Sequence, residues 1–281
     1  MKTITKPDAM FKAVMAVKTK GKSVGFVPTM GALHEGHLSL IRRARKDNDI
    51  VVVSIFVNPA QFAPGEDLKK YPRPVSKDIA LCRKAGVDFI FYPLPKDIYP
   101  QGFKTYVSVD DLSQVLCGRT RPGHFRGVAT VVAKLLNVTQ PDILYLGQKD
   151  AQQAIIIKRM AEDLNFPVKV RVMSTVREKN GLALSSRNAY LNKKEKEDAL
   201  VLFKSLNLAL LLIKGGLRDA GRLIKRVREL ISKKKSAKID YIAIVNAETL
   251  EPLNKIRGDC LIALAVRIGK TRLIDNVLLK V

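Results

Sequence analysis

Two of the chain's three histidines, His34 and His37, stand three residues apart in the run PTMGALHEGHLSLI, with Glu35 and Gly36 between them. The strand-like segment SVGFV precedes this run, and the helical pattern LSLIRRARK follows it. Paired imidazoles at a helix start can donate to a phosphate while negative charge builds on it, where helix N-termini also present backbone N–H groups to anions. Gly36 leaves room for a base, a ribose or a phosphate to approach the backbone. Surface or capping histidines are the structural alternative, but that account does not explain why two of three share one turn.

Four further segments carry polar groups suited to ligands. SIFVNPAQFAPGEDLKKYPR supplies Asn58 and Gln61 just after a strand-like run. Amides give donors and acceptors without charge, which suits an uncharged substrate bearing hydroxyls, although loop capping serves them as well. GHFRGVATVVAKLLN holds the third histidine, His124, between Gly123 and Gly127, beside Phe125 and Arg126. A structural role and a ligand role stand level there. In DILYLGQKDAQQAIIIKRM, Lys149 lies in a turn where a compact ammonium could meet phosphates, and Gln152 and Gln153 open the next helix. Asp150 suits an N-cap. Capping accounts for the aspartate but not for the lysine and paired glutamines together. GLALSSRN places Ser185 and Ser186 beside Arg187, two hydroxyls and a guanidinium that could grip a triphosphate, though serine-rich loops are more often plain turns.

These groups need a scaffold, and the chain's hydrophobic pattern predicts one. Val/Ile-rich runs over 23–27, 49–57, 88–93, 142–146 and 168–173 read as strands, and 35–47, 75–86, 127–138 and 150–165 have helical periodicity. DIVVVSIFV is too continuously apolar for a strand with one wet face, so its sheet is expected to be covered on both sides. Strand–helix alternation of this kind predicts an α/β fold, a doubly wound, Rossmann-like parallel sheet. After about residue 176 the character changes. Helices are expected over 193–213 and 218–235, and strands near 239–246 and 259–266. The expected division is residues 1–177 as the Rossmann-like domain and 178–281 as a smaller C-terminal α+β domain, with the boundary falling in 175–188.

Composition narrows the class. The chain has 281 residues, 47% hydrophobic and 27% charged, which suits a folded globular protein. No run of about 18 apolar residues offers a membrane span. The N-terminus lacks a signal-like cleavage site, so a cytoplasmic protein is expected. Cys82, Cys117 and Cys260 show no CxxC or Cys/His spacing, so neither disulfides nor structural zinc are implied. Fifty Lys+Arg against 26 Asp+Glu give a net charge of +24, which invites a nucleic-acid or phosphate-rich ligand. Residues 214–238 hold ten basic and two acidic residues. No aromatic interleaves them, so the stacking platform for single strands is missing, and a solvated helix face explains the run. Nucleic acid is therefore not expected as a partner.

HxGH after a first strand resembles the nucleotidyl-transferring α/β superfamily, a likeness that names a reaction type and leaves the acceptor open. PTMGALHEGH, SIFVNPAQF, YPR, GHFRGVATVV, GQKDAQQ and GLALSSRNAYL, in this order, closely resemble the pantoate–beta-alanine ligase family across about residues 20–192, with the C-terminal part similar in outline. Gln148 is a departure, since many members carry glutamate there. The resemblance implies that ATP and pantoate give pantoyl adenylate and pyrophosphate, and that beta-alanine then displaces AMP to give pantothenate. It implies that Met30, Gly31, Ala32, Leu33, His34, Glu35, Gly36 and His37 line ATP. His34 and His37 would lie on the phosphates, and His37 is the position usually called the proton donor. Gln61 would hold pantoate and then beta-alanine, with Gln153 on pantoate and Asn58 beside Gln61 in the substrate set. Gly147, Gln148, Lys149 and Asp150 would contact ATP, with Lys149 on the phosphates. Val176 would face the adenine side, and Leu184, Ser185, Ser186 and Arg187 would close over the triphosphate from a lid-like second domain. His34, His37, Lys149, Ser185 and Arg187 form the expected catalytic set. Mg2+ would accompany ATP on phosphate oxygens, with no protein ligand assigned, and a homodimer is implied. A different HxGH nucleotidyltransferase, or a basic nucleic-acid-binding protein, are the alternatives.

Overall fold

The computed structural model describes residues 1–281. In chain order its elements are β1 (Lys2–Ile4), α1 (Pro7–Lys18), β2 (Val24–Thr29), α2 (Glu35–Asp47), β3 (Ile50–Ile55), α3 (Val75–Lys84), β4 (Phe89–Phe91), α4 (Pro95–Ile98), α5 (Cys117–Thr120), α6 (His124–Thr139), β5 (Ile143–Gly147), α7 (Ala151–Asp163), β6 (Lys169–Met173), α8 (Lys193–Lys214), α9 (Ala220–Ser232), β7 (Ala237–Asn246), β8 (Asp259–Ile268) and β9 (Thr271–Lys280). The chain forms two compact units. The first comprises Met1–Gln114, Arg121–Gln148 and Gln153–Ser174, and the second Val115–Thr120, Lys149–Gln152 and Thr175–Val281. The second unit thus takes Lys149, Asp150 and Gln152 out of the middle of the sequence.

The first unit is built on a six-stranded sheet in the order β1-β4-β3-β2-β5-β6. All its pairings are parallel, as strand–helix alternation requires. Every residue of β3 is buried, which fits a strand covered on both faces. On one face Leu40, Ile41 and Ala44 of α2 and Cys82 of α3 pack with Val27, Val51, Val53 and Ile90. Strand order reverses beside β2, with β3 on one flank and β5 on the other. In an open α/β sheet the crevice outside the carboxyl ends at such a reversal is where ligands sit. The loops leaving β2, β3 and β5 are those carrying His34/His37, Asn58/Gln61 and Gly147/Gln148.

The sequence pattern omits two N-terminal elements. β1 has only three residues, too few for a period to show, and it adds to the sheet beside β4. α1 carries ordinary helix signals, Pro7 in its first turn, Asp8 behind it and Lys18 in its last, with Met10 and Val14 buried four residues apart.

The second unit packs α8 and α9 on a three-stranded antiparallel sheet in the order β7-β8-β9. α9 buries Ala220, Leu223, Val227 and Ile231, a stripe spaced by three and four residues. The sequence pattern predicts two strands here, and three are present. β9 escapes because two adjacent polar residues, Asp275 and Asn276, are buried in it and break the apolar alternation. No helix is long and apolar enough to cross a membrane.

Candidate active site

The chain leaves β2 through a tight turn in which Gly31 and Ala32 both have positive φ, +83° and +50°. A methyl on Gly31 would also press on Asp78 and Ile55 at 3.0 and 3.1 Å, so glycine is required there. Asp78, on α3 and only 1% exposed, accepts from the N–H groups of both Ala32 and Leu33, each at 2.8 Å. Thr29 Oγ1 accepts from Gly31 N at 3.1 Å and donates to Ser54 O at 2.7 Å. The turn is therefore tied to both α3 and β3.

α2 then starts with a cap made of its two histidines. Gly36 N donates to His34 Nδ1 at 3.1 Å, and His34 N donates to His37 Nδ1 at 3.3 Å, with ring centroids 4.1 Å apart. A ring nitrogen that accepts cannot carry the proton of a neutral imidazole, so the proton belongs on Nε2 in both rings. Each ring becomes an oriented Nε2–H donor. The amides of Gly31, Ala32, Leu33, His34 and Gly36 are taken by side chains.

Asp78 belongs to no motif of the sequence. Its one signal there is an acid on the apolar stripe Val75, Ile79, Cys82 of an amphipathic helix. Burial, and then the neighbouring Asp78 carboxylate, push the Cys82 thiol up to about 12. Asp78→Asn turns one acceptor oxygen into an N–H facing an N–H. It is expected to cost about 1–3 kcal/mol, read as a lower denaturant midpoint at unchanged m-value.

The loop after β3 presents an amide pair in which one member supports the other. Asn58 is 1% exposed; its Nδ2 donates to Gln61 Oε1 (3.1 Å) and Gly127 O (3.0 Å), while its Oδ1 accepts from Tyr99 OH (2.7 Å) and Ala60 N (3.3 Å). Both donors and both acceptor positions are occupied by protein. Burial pushes the Tyr99 phenol well above its usual range, so it stays a donor. The resemblance puts Asn58 in the substrate set; here its amide is held by four protein groups, one of them the Gln61 side chain. Gln61 meets Asn58 through Oε1 and Met30 Sδ through Nε2 at 3.2 Å, which leaves one acceptor and one donor position.

His124, left open by the sequence, is placed behind the same residue. Its Nδ1 lies 2.8 Å from Gln61 O and its Nε2 lies 2.9 Å from Arg121 Nη1. Because a guanidinium only donates, Nε2 accepts and Nδ1–H donates to the Gln61 carbonyl. Arg121 in turn holds Glu66 at 2.6 and 2.8 Å. Neither Tyr99 nor Arg121 carries a motif that would disclose this.

Lys149 and the 176–187 segment belong to the second unit. Lys149 Nζ lies 3.7 Å from Asp150 Oδ1. The QQ pair divides its work. Gln152 is buried, accepting from Cys117 N at 3.0 Å and donating to Val115 O at 2.8 Å, whereas Gln153 is half-buried at the start of α7 in the first unit. Leu184 N donates to Val176 O at 3.0 Å and Glu178 N to Leu182 O at 2.8 Å, so 176–184 is a narrow hairpin that sets Val176 beside Leu184. Gly181, with φ +98°, turns it against the Phe203 ring, which leaves no room for a side chain. Ser185 Oγ accepts from Arg187 N at 3.3 Å and starts the turn that presents Ser186 and Arg187.

Over residues 2–278 the chain matches the Pantoate-beta-alanine ligase family. It belongs to that family. A pantothenate synthetase of Caldicellulosiruptor saccharolyticus is 52% identical over 281 residues, covering 100% of both chains. One of Moorella thermoacetica is 54% identical over 268 residues, 95% of each chain. Among solved structures, pantothenate synthetase from Thermus thermophilus superposes with a TM-score of 0.94 at 44% identity, covering 99% of both chains. Pantoate-beta-alanine ligase from Francisella tularensis, complexed with "Beta-gamma ATP and Beta-alanine", gives 0.81 at 38% identity, covering 99% of this chain and 97% of that one. The parallel sheet with a smaller antiparallel C-terminal sheet is the architecture of this pantoate–beta-alanine ligase family, as the sequence pattern predicts.

Proposed function

We propose that the chain is an ATP-dependent pantoate–beta-alanine ligase that works through pantoyl adenylate and releases pyrophosphate and AMP. The match to that family along nearly the whole chain carries this reading. A carboxylate is a poor acyl donor because its oxide leaves badly. In the first step a pantoate carboxylate oxygen attacks the α-phosphorus of ATP, and the bond to the bridging oxygen breaks to release pyrophosphate. In the second, the beta-alanine amine attacks the acyl carbon and the acyl–oxygen bond to AMP breaks, with the amine's proton passing to solvent.

The residues receive roles on their chemistry. The Nε2–H groups of His34 and His37 donate to α-phosphate oxygens as charge gathers there, and the reciprocal cap keeps both rings in the donating tautomer. His37 thus acts as a hydrogen-bond donor. The donor and acceptor left on Gln61 suit a hydroxyl of pantoate and later beta-alanine, with Gln153 as a second pantoate contact. The turn Gly147, Gln148, Lys149, Asp150 and the group Val176, Leu184, Ser185, Ser186, Arg187 are assigned to ATP, with Lys149 and Arg187 on its charged oxygens. Mg2+ enters as the companion of the triphosphate, held by phosphate oxygens. No three His, Cys, Asp or Glu side chains gather to ligate a metal. A homodimer and a cytoplasmic setting belong to the same proposal; sedimentation at a single chain's mass would remove the first.

The test mixes ATP, Mg2+, pantoate and beta-alanine and follows AMP and pantothenate, omitting each in turn. AMP release is expected only in the complete mixture, and pyrophosphate release to persist for one turnover without beta-alanine. In the same assay Lys149→Ala is expected to raise the KM for ATP by about tenfold or more while moving that for pantoate little. Turnover that continues without pantoate would defeat the reading.

A further inference from the structure

Strand β9 has an office that the site residues do not explain by themselves. It is an edge strand of the antiparallel sheet, paired only with β8. Successive side chains point to opposite faces of a strand. Leu273 and Val277 join the apolar cluster with α8 and α9, which puts Asp275 on that same face and Asn276 on the other. Both are nearly inaccessible, 3% and 5% exposed.

Asp275 takes Arg177 in two bonds of 2.6 and 2.9 Å, and the guanidinium also caps Gly181 O at 3.2 Å and lies 4.8 Å above the Phe203 ring. This clamp fixes the hairpin that carries Val176 at one end and Leu184 at the other. Asn276 Nδ2 donates to the carbonyl of Lys149 at 2.9 Å. On the same face Arg272 reaches Asp240 (2.8 Å) and Thr120 (3.4 Å), so the short segments 115–120 and 149–152 are both fastened to one strand.

We infer that Asp275 and Asn276 are positioning residues for nucleotide use, acting from the two faces of one strand: Asn276 through Lys149, and Asp275 through Arg177 and its hairpin. The inference rests on the assignment of Lys149 and the 176–187 group to ATP. Adjacent residues on a paired strand have a fixed separation, so the lysine backbone and the hairpin keep a set spacing within the second unit.

A double-mutant cycle tests it. Asn276→Ala is expected to raise the KM for ATP about tenfold, the size of one lost hydrogen bond to a well-placed group. The KM for pantoate should stay near wild type, and the melting temperature should fall only by what one buried hydrogen bond is worth. In a Lys149→Ala background the same change should raise the KM for ATP no further, because the ammonium whose backbone Asn276 positions is gone while the carbonyl it holds remains. If the alanine variant does not fold, the isosteric Asn276→Asp, which turns an acceptor toward the Lys149 carbonyl, is put through the same cycle. Additive rises in the cycle, or equal losses of ATP and pantoate affinity, would overturn the inference and leave the ATP assignment standing. A Lys149→Ala enzyme with unchanged KM for ATP would overturn both.

Discussion

His37→Ala is expected to slow pantoate-dependent pyrophosphate release by about 10²–10³-fold, the usual loss when one donor to a developing oxyanion is removed. The size follows from what the ring does. Its Nδ1 is engaged by His34 N at 3.3 Å, so its one proton is on Nε2, and that is the group withdrawn. Alanine also removes a cap acceptor, which costs about 1 kcal/mol of helix stability. His37→Asn separates the two effects, because its short side-chain oxygen can still accept from His34 N while no donor reaches the place of Nε2. Asparagine should therefore restore the melting temperature and leave pyrophosphate release nearly as slow as alanine does. Beta-alanine-dependent aminolysis of supplied pantoyl adenylate should suffer less than its formation. A His37→Asn enzyme that releases pyrophosphate at the wild-type rate would remove the imidazole from the chemistry.

The residues that touch ligands in this proposal are the legible ones, and those that hold them are not. His34, His37, Gln61 and Lys149 announce themselves because unusual side chains cluster where a strand gives way to a helix. Asp78, Tyr99, Arg121, Asp275 and Asn276 act from distant segments, and their meaning appears only when the chain folds back. Tyr99, for example, reaches Asn58 across 41 positions and Asn276 reaches Lys149 across 127. The parallel sheet is readable because β3 is a continuous apolar run. β9 is not, since the two polar residues that give it a role are also what disguise it. Asn58 and Gln61 look alike in sequence, and the difference in how many of their donors and acceptors the protein occupies appears only in the fold.

Gly127→Ala is the second large effect, and two terms of opposite sign decide it. Helix propensity alone favours alanine over glycine inside α6 by about 1 kcal/mol. Its φ is not in the left-handed region, so no backbone strain opposes the change. Space does. A methyl at Gly127 would lie 2.2 Å from Ala60 O, 2.4 Å from Ala60 C and 2.6 Å from Gln61 N, all of them backbone atoms that cannot rotate away. Either α6 or the 58–61 turn must move, and overpacking of this kind costs about 1–3 kcal/mol. Moving the turn also breaks the bond from Asn58 Nδ2 to Gly127 O and the one from His124 Nδ1 to Gln61 O, which together set Gln61. The expected result is a lower melting temperature with a KM for pantoate raised about tenfold or more, one or two hydrogen bonds' worth, while the KM for ATP moves little. Raised stability with unchanged pantoate affinity would mean that propensity wins and that the glycine is not what lets the helix and the amide-bearing turn meet.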